Sequence, residues 1–250
     1  MSKTREDAFL GGRLSIRQPV DGYRAGADPV FLAAAVPAKP GDSVLELGCG
    51  VGTALLCLME RVADLSVVGV ERNAQYAELA RSNCTSNDHL AKIVTADIAD
   101  LPAELMQRSF DHVMFNPPFF DRDQGNHSPN AGREAGRGAT RETSHWYDAA
   151  LKRLKPGGVL TVINRMEGLP NTLAAIEDRV GAVCVLPLQP RTSRPAKLFI
   201  MKAKKGSKTP FSLLPSLVLH RGETHVKDGD DYTKAASKIL RSGEALAMRN

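Results

Sequence analysis

Hydrophobic residues of this chain gather in short continuous runs, and several of the segments between the runs have helical periodicity. Short apolar runs bounded by turn residues are typical of strands buried on both faces. We predict seven such strands, at 43–47, 66–70, 91–96, 111–115, 159–163, 183–188 and 198–203. This alternation of strands and helices predicts a doubly wound, Rossmann-like, mostly parallel seven-stranded α/β sheet, in which the closing hairpin supplies one antiparallel edge strand.

The helical segments have apolar residues on one face. Between the first two strands the i, i+3, i+4, i+7 spacing is shown by Leu55, Leu58, Met59 and Val62. A second helix precedes the fifth strand, with one face formed by Tyr147, Ala150, Leu151 and Leu154, and a third is predicted over 173–180. The last helix, with Tyr232, Ala235, Ala236 and Ile239 on one face, is expected to pack back on the core.

A glycine-rich turn follows the first predicted strand of the sheet. Gly48, Gly50 and Gly52 stand between that strand and the first helix. A strand, a glycine-rich turn and a helix form a nucleotide-type cofactor loop, since residues without Cβ let the backbone approach a ligand closely. The second strand ends in Glu71 and the third in Asp97, so acids stand at two further strand ends. Ligands of open α/β sheets bind at these carboxyl ends, which predicts a nucleotide-type cofactor site.

The fourth strand ends in an amide, two prolines and an aromatic residue, Asn116-Pro117-Pro118-Phe119. Two prolines restrict the backbone, so the Asn116 side chain and nearby carbonyls can be held at fixed positions. A planar amine bound here would face two hydrogen-bond acceptors, the Asn116 side chain and a backbone carbonyl, and the aromatic ring of Phe119. Asn-Pro also starts ordinary turns, and in isolation this motif would more often be a loop than a catalytic site. Its place at the fourth strand end, beside the glycine turn and two acids, favours a site that methylates an NH2 group.

A dinucleotide-dependent oxidoreductase is the main alternative from the glycine turn alone. Its fingerprint requires glycine at the sixth position of G-x-G-x-x-G, and Thr53 occupies that position here. No separate domain with a hydride-transfer site can be picked out. Glu46 precedes the first glycine, and its carboxylate suits a cationic ligand better than a pyrophosphate. These details disfavour the oxidoreductase.

The combination of Glu46-Leu47-Gly48-Cys49-Gly50-Val51-Gly52 with Asn116-Pro117-Pro118-Phe119 resembles the S-adenosylmethionine-dependent amino-methyltransferases, a class I methyltransferase family. More narrowly, the chain resembles the bacterial tRNA(Val) (adenine-N6)-methyltransferases, from about Arg17 to about Leu240. That span includes the segments 18–24, 28–32 and 217–222, and Tyr232. The resemblance implies S-adenosyl-L-methionine as cofactor and an exocyclic base amine, most simply adenine N6 in tRNA, as methyl acceptor.

The resemblance also implies residue roles. Gly48, Gly50 and Gly52 would shape the turn around the cofactor, Glu71 would hold the ribose hydroxyls, and Asp97 the adenine amine. Asn116 and the Pro117 carbonyl would accept hydrogen bonds from the target amine, and Phe119 would stack on the target ring. Asp28 lies in the segment that helps to close over the cofactor. We therefore expect one domain over 1–250, with a cofactor-closing segment (1–40), a cofactor-binding and catalytic core (41–205) and a C-terminal strand and helix (206–250).

Three other functions remain open from the sequence. A protein glutamine methyltransferase uses the same Asn-Pro-Pro corner, but such enzymes usually have tyrosine at the position of Phe119 and a helical domain before the cofactor domain. A guanine amino-methyltransferase acting on ribosomal RNA is a closer alternative. A cofactor-responsive RNA-binding protein without required catalysis is the non-enzymatic one, and the intact Asn116 and Asp97 argue against it.

Charge is distributed unevenly along the chain. The net charge is +5, and 189–208 contains no acid but seven cations, Arg191, Arg194, Lys197, Lys202, Lys204, Lys205 and Lys208. Such a run could bind RNA phosphates through Arg191, Arg194, Lys202, Lys204 and Lys205, or form a hairpin with solvated lysines. The segment 121–141, rich in Gly, Asn and charge, is predicted to order over RNA.

Metal, membrane and disulfide sites are not expected. The six histidines show no i, i+3 or i, i+4 pair, and the four cysteines lack metal or disulfide spacing. Cys49, within the glycine turn, is interpreted as a small packing residue. No apolar run approaches a membrane span, and the polar start is unlike a secretory signal. We therefore expect a cytoplasmic protein.

Overall fold

The computed structural model describes residues 3–21, 24–118, 144–224 and 231–248. Its strands are β1 (Thr4–Phe9), β2 (Leu14–Pro19), β3 (Ser43–Leu47), β4 (Ser66–Glu71), β5 (Ala91–Thr95), β6 (Phe110–Phe115), β7 (Leu154–Arg165), β8 (Val180–Gln189), β9 (Leu198–Lys205), β10 (Ser212–Leu213) and β11 (Leu217–Val218). Its helices are α1 (Asp28–Ala35), α2 (Thr53–Arg61), α3 (Ala74–Ser86), α4 (Ala103–Met106), α5 (144–153), α6 (Leu169–Ile176) and α7 (Lys234–Ser242). Helices thus follow or precede most strands of the sheet, as the sequence pattern predicts.

The central sheet has the strand order β5-β4-β3-β6-β7-β9-β8, and the two short strands β10 and β11 pair with the outer strand β8. β3, β4, β5, β6 and β7 pair in parallel, whereas β9 is antiparallel to both of its neighbours. The order reverses at β3 and β6, a switch point where open α/β sheets bind ligands. The predicted fold class, with its antiparallel hairpin at one edge, is confirmed.

Hydrophobic side chains cover both faces of the sheet. Along β3, Val44 belongs to one core cluster, while Leu45 and Leu47 belong to the other. The first cluster contains buried residues of α1, α2, α3 and α7, and the second those of α4, α5 and α6. Alternating side chains of a strand point to opposite faces. The parallel strands are therefore buried on both sides, which explains their nearly continuous apolar runs.

Several boundaries differ from the sequence-based expectation: Leu154 and Tyr232, predicted on helical faces, lie in β7 and before α7. The helix predicted over 173–180 is α6, Leu169–Ile176, and β8 already begins at Val180. Pro170 in the first turn favours the earlier start, because its missing N–H has no partner there in any case. The N-terminal antiparallel hairpin of β1 and β2 has no counterpart in the prediction.

The N-terminal hairpin is fixed to the core by three buried or half-buried amides. Asn83 of α3 and Asn87, the residue that follows α3, each exchange two hydrogen bonds with the backbone of β2, at Arg17 and Ser15. The fully buried Gln18 accepts from the Ala25 N–H at 2.8 Å and donates to the Ala25 carbonyl at 3.3 Å. These bonds hold the chain that leads into α1. The division into segments 1–40, 41–205 and 206–250 stays a prediction.

None of the helices within the described ranges has the length and apolar character needed to cross a membrane.

Candidate active site

One large cavity, about 800 Å³, opens at the carboxyl ends of β3, β4, β5 and β6. Parallel strands bring together there most of the residues that the sequence analysis selects. The cavity is lined by Glu46, Gly48, Gly50, Glu71, Asp97, Asn116 and Pro117 of that selection. The geometry therefore joins the glycine turn, the acids and the Asn-Pro-Pro corner into one site.

The glycine turn reverses the chain between β3 and α2 with left-handed backbone angles. Gly48 has φ +65° and Gly50 has φ +55°, a region that L side chains rarely adopt. A Cβ added at Gly50 would meet no atom within 4 Å, so this part of the turn faces open space. Gly52 caps α2, and a Cβ there would lie 3.4 Å from Ala80 of α3. That separation is an ordinary van der Waals contact, so glycine is required here by its φ of +87°, and Gly52 is not among the residues that line the cavity.

Glu71 ties the turn to the start of α3. Its carboxylate oxygens accept hydrogen bonds from the backbone N–H of Gly50, at 2.9 Å, and of Asn73, at 2.8 Å. The side chain is only 8% exposed. Two backbone donors satisfy this buried side chain and fix its orientation. Glu71 therefore stands at the cavity wall as a fixed acceptor.

Glu46 lies deeper in the same cavity. The residue is 4% exposed, and its Oε2 atom has no hydrogen-bond partner among the described residues. Burial raises the pKa of Glu46 well above the ordinary value, the Leu55 N–H in the first turn of α2 counteracts this, and the Glu71 carboxylate adds to the increase. A buried acceptor without a partner is ready to receive a hydrogen-bond donor or a cation.

The other two predicted acids differ in position. Asp97 follows β5 and lines the cavity; it is exposed, and its Oδ1 accepts from the Ala99 N–H at 2.9 Å. Asp28 is the first residue of α1 and does not line the cavity, although Ala25 and Pro29 on either side of it do. Burial raises the pKa of Asp28, an effect that the nearby Arg165 guanidinium reduces.

The Asn-Pro-Pro corner follows β6 directly. Asn116 Oδ1 is buried, and no hydrogen-bond partner for it lies among the described residues. Pro117 is buried and Pro118 exposed, and both line the cavity. An unpaired amide oxygen at a cavity wall can accept a hydrogen bond from an N–H or O–H group of a bound ligand. Phe119 lies outside the described residues, as does the loop 121–141.

Sequence reasoning missed Trp146 and His145 on α5, which also line the cavity. Trp146 is the chain's one tryptophan, and its ring lies 5.6 Å from that of Phe115, the residue before Asn116. A Cβ on Gly48 would lie 2.5 Å from the end of this indole ring. The rarity of tryptophan in the sequence could have drawn attention to Trp146. Its position beside the glycine turn depends on how α5 packs in the folded chain, which the sequence pattern does not show.

The basic run of β8 and β9 does not form one surface. In the antiparallel pair of β7 and β9, Leu198 lies opposite Arg165 at the cavity, whereas Lys204, toward the other end of β9, lies opposite Val159. Arg165 and Val159 are six positions apart on β7, which corresponds to about 20 Å along the strand. Lys205 and Lys202 donate to backbone carbonyls of this chain, and Arg191 pairs with Asp231. Sequence alone could not show this division, because it depends on the direction of β9.

Cys49 is buried in the turn, and burial raises the pKa of its thiol. Its Sγ atom would lie 2.8 Å from a Cβ on Gly69 of β4. This contact agrees with the packing role predicted for Cys49. Within the described ranges, no group of three or more His, Cys, Asp or Glu side chains could hold a metal ion.

Comparisons with known proteins agree with this geometry. Residues 28–186 match the family described as methyltransferase small domain. A protein of Porphyromonas gingivalis named tRNA1(Val) (adenine(37)-N6)-methyltransferase is 30% identical over 72% of this chain and 76% of its own length. One of the same name from Dickeya chrysanthemi is 25% identical over 90% and 88%.

Solved structures share the fold. A crystal structure described as a predicted O-methyltransferase from Agrobacterium tumefaciens superimposes with a TM-score of 0.69 and 22% identity, over 89% of this chain and 99% of that one. A crystal structure described as a putative class I S-adenosylmethionine-dependent methyltransferase from Listeria monocytogenes has a TM-score of 0.53 and 14% identity, over 74% of this chain and 62% of that one. The chain belongs to the methyltransferase small domain family, and it is an S-adenosylmethionine-dependent methyltransferase.

Proposed function

We propose that this enzyme transfers a methyl group to N6 of an adenine in tRNA. The observation that carries the proposal is Asn116 Oδ1, a buried acceptor without a described partner in the same cavity as the glycine turn. Leaving a buried polar atom unpaired costs about 1–3 kcal/mol, so a ligand that donates a hydrogen bond to Asn116 Oδ1 removes this cost. An exocyclic amine supplies such donors in a plane.

The residues present fit S-adenosylmethionine. Its amino acid carries an ammonium group, and Glu46 Oε2 is a buried acceptor without a described partner. Gly50 leaves open space where a side chain would otherwise intrude. Glu71 and Asp97 offer carboxylates to ribose hydroxyls and to the adenine amine, the roles that the resemblance implies for them. Gly48 completes the turn around the bound group.

When bound, S-adenosylmethionine supplies an electrophilic methyl group: the amine lone pair forms the N–C bond while the C–S bond breaks, its electron pair stays on sulfur, and one N–H proton is released. An aromatic amine is a weak nucleophile, because its lone pair is delocalised into the ring. Asn116 Oδ1 and the Pro117 carbonyl accept hydrogen bonds from its two N–H groups, which raises electron density on nitrogen and fixes the orientation of the amine. Catalysis here rests on positioning and electrostatics rather than on a strong base.

The tRNA assignment comes from the relatives. The proteins of Porphyromonas gingivalis and Dickeya chrysanthemi are both named for adenine 37 of tRNA1(Val). An adenine must leave its stack to reach a cavity of this kind, and an unpaired loop base is the least costly to extract. We propose the same adenine as the substrate. Phe119 keeps its predicted role of stacking on the target ring.

RNA phosphates would contact the cations on the cavity side of the sheet. Arg194 and Lys197 are exposed, and the Lys197 carbonyl accepts from the N–H of Met166, the residue after Arg165. Arg165 and Arg72 line the cavity itself. These positions favour Arg194 and Lys197 over Lys202, Lys204 and Lys205 as phosphate contacts.

The acceptor is tested with labelled S-adenosylmethionine and separate pools of tRNA, ribosomal RNA and protein extract, followed by mass spectrometry of the modified product. We expect N6-methyladenosine in tRNA, and at adenine 37 of tRNA1(Val) when that tRNA is transcribed without other modifications. Methylated guanine in ribosomal RNA, or methylated glutamine in protein, would refute the tRNA proposal and identify the alternative.

The RNA surface is tested by the salt dependence of tRNA binding. Each phosphate contact adds roughly one unit to the slope of log affinity against log salt. The Arg194→Ala/Lys197→Ala double variant should lower that slope by about two. Lys204→Ala is the matched control, because Lys204 is also exposed but lies at the opposite end of the sheet. Equal slopes for the double variant and the control would disprove this surface.

A further inference from the structure

We propose that Trp146 is a positioning residue for methyl transfer, because its indole ring holds the glycine turn at Gly48 against the strand end that carries Asn116. The indole of α5 lies between two parts of the site that come from different strands, β3 and β6. This inference rests on the proposed role of Asn116 as the acceptor of the target amine.

The contact with the glycine turn is close. A Cβ on Gly48 would lie 2.5 Å from the Cη2 atom and 2.9 Å from the Cζ3 atom of Trp146, both at the far end of the indole. Distances under 3.0 Å require a shift of one partner. The indole therefore occupies the space that the missing side chain leaves, and the turn cannot move toward α5 without meeting it.

The contact with the catalytic corner runs through Phe115. The Trp146 and Phe115 rings are 5.6 Å apart at an interplanar angle of 44°, and Phe115 is fully buried. Tyr147, the next residue of α5, packs edge-on against the same Phe115 ring at 5.1 Å. Its hydroxyl lies 2.7 Å from Thr172 Oγ1 of α6. Two aromatic contacts thus fix the residue directly before Asn116.

The consequence for the reaction is geometric. Donor and acceptor of a methyl transfer must be held in line, and a displacement of about 1 Å can cost about 100-fold in rate. The turn holds one reactant and the Asn116 corner the other. A gap between Gly48 and Phe115 would therefore lower turnover more than it lowers affinity for either reactant.

Trp146→Phe is the primary variant, because a phenyl ring retains an aromatic neighbour for Phe115 but ends short of Gly48. We expect a kcat about tenfold lower, with affinity for S-adenosylhomocysteine within about threefold of wild type by calorimetry. Kinetics are measured with whichever acceptor the wild-type enzyme methylates, so a wrong acceptor assignment does not affect the result. Lys152→Ala, an exposed residue of α5, is the control and should match wild type.

A double-mutant cycle with Gly48→Ala separates positioning from general damage. The positive φ of Gly48 strains alanine equally in both backgrounds, so that cost cancels, whereas the contact with the indole exists only in the wild-type background. Gly48→Ala should therefore lower kcat at least about threefold less in Trp146→Phe than in wild type. A wild-type kcat for Trp146→Phe, or the same cost of Gly48→Ala in both backgrounds, would overturn the inference. Circular dichroism verifies that each variant is folded.

Discussion

Replacing Glu71 by glutamine tests the link between the glycine turn and the cavity wall. The wild-type carboxylate accepts from two backbone donors, Gly50 N–H at 2.9 Å and Asn73 N–H at 2.8 Å. A glutamine has one acceptor oxygen, so in either orientation its NH2 group faces a backbone N–H. Losing a hydrogen bond to a charged acceptor costs about 1.5–3 kcal/mol, and the free energy of unfolding should fall by about that amount.

Cofactor affinity should fall as well, because Gly50 and Glu71 both line the cavity. A loss of about 1.5–3 kcal/mol in binding corresponds to about 10- to 150-fold in Kd. Urea denaturation measures the first effect, and calorimetry with S-adenosylhomocysteine the second. Glu78→Gln on α3 is the control, since its side chain is 74% exposed and its ion pair with Arg81 contributes at most about 1 kcal/mol. Equal behaviour of the two variants in both assays would refute the reasoning.

Two further predictions concern Glu46 and Gln18. Burial raises the pKa of Glu46 above its ordinary 4.5, and the Glu71 charge adds to this increase. Between 4.5 and the raised pKa, the folded state holds a proton that the unfolded state has lost. The free energy of unfolding therefore falls as pH rises through this range. Glu46→Gln should therefore gain stability relative to wild type as pH increases above 4.5; parallel stability curves in urea would contradict this. Gln18→Ala leaves the Ala25 N–H and carbonyl unpaired and should cost about 2 kcal/mol or more, with weaker cofactor binding because Ala25 lines the cavity. Gln75→Ala, at an exposed position, should change stability by less than about 0.5 kcal/mol, and a similarly small loss for Gln18→Ala would refute the stabilising role of the Gln18–Ala25 hydrogen bonds.

Strand positions could be predicted because parallel strands are buried on both faces. The run 43–47 is β3 residue for residue, and the runs ending at Glu71 and Phe115 are β4 and β6. Since the carboxyl ends of such strands share one edge, the grouping of Gly48, Glu71 and Asn116 followed from the sequence. Hydrophobic pattern and strand-end chemistry were sufficient for this part of the site.

Other features depend on contacts between distant segments. Strand β1 of the N-terminal hairpin has no strong alternation of its own, and the amides of Asn83 and Asn87, 66 and 72 residues from their partners on β2, hold the hairpin in place. The basic run looks continuous in sequence, but the direction of β9 separates Lys197 from Lys204. Trp146 reaches the site only through the packing of α5. These relations are properties of the folded chain, and local patterns do not encode them.

Separate measurement of turnover and cofactor affinity for Asn116→Ala tests the central claim most directly. If Asn116 Oδ1 holds the target amine during transfer, the single-turnover rate should fall by about 100-fold or more, while Kd for S-adenosylhomocysteine changes by less than about threefold. Asn116→Asp keeps an acceptor at this position and should retain more activity than alanine. Equal losses of rate and cofactor affinity, or full activity of Asn116→Ala, would contradict the account.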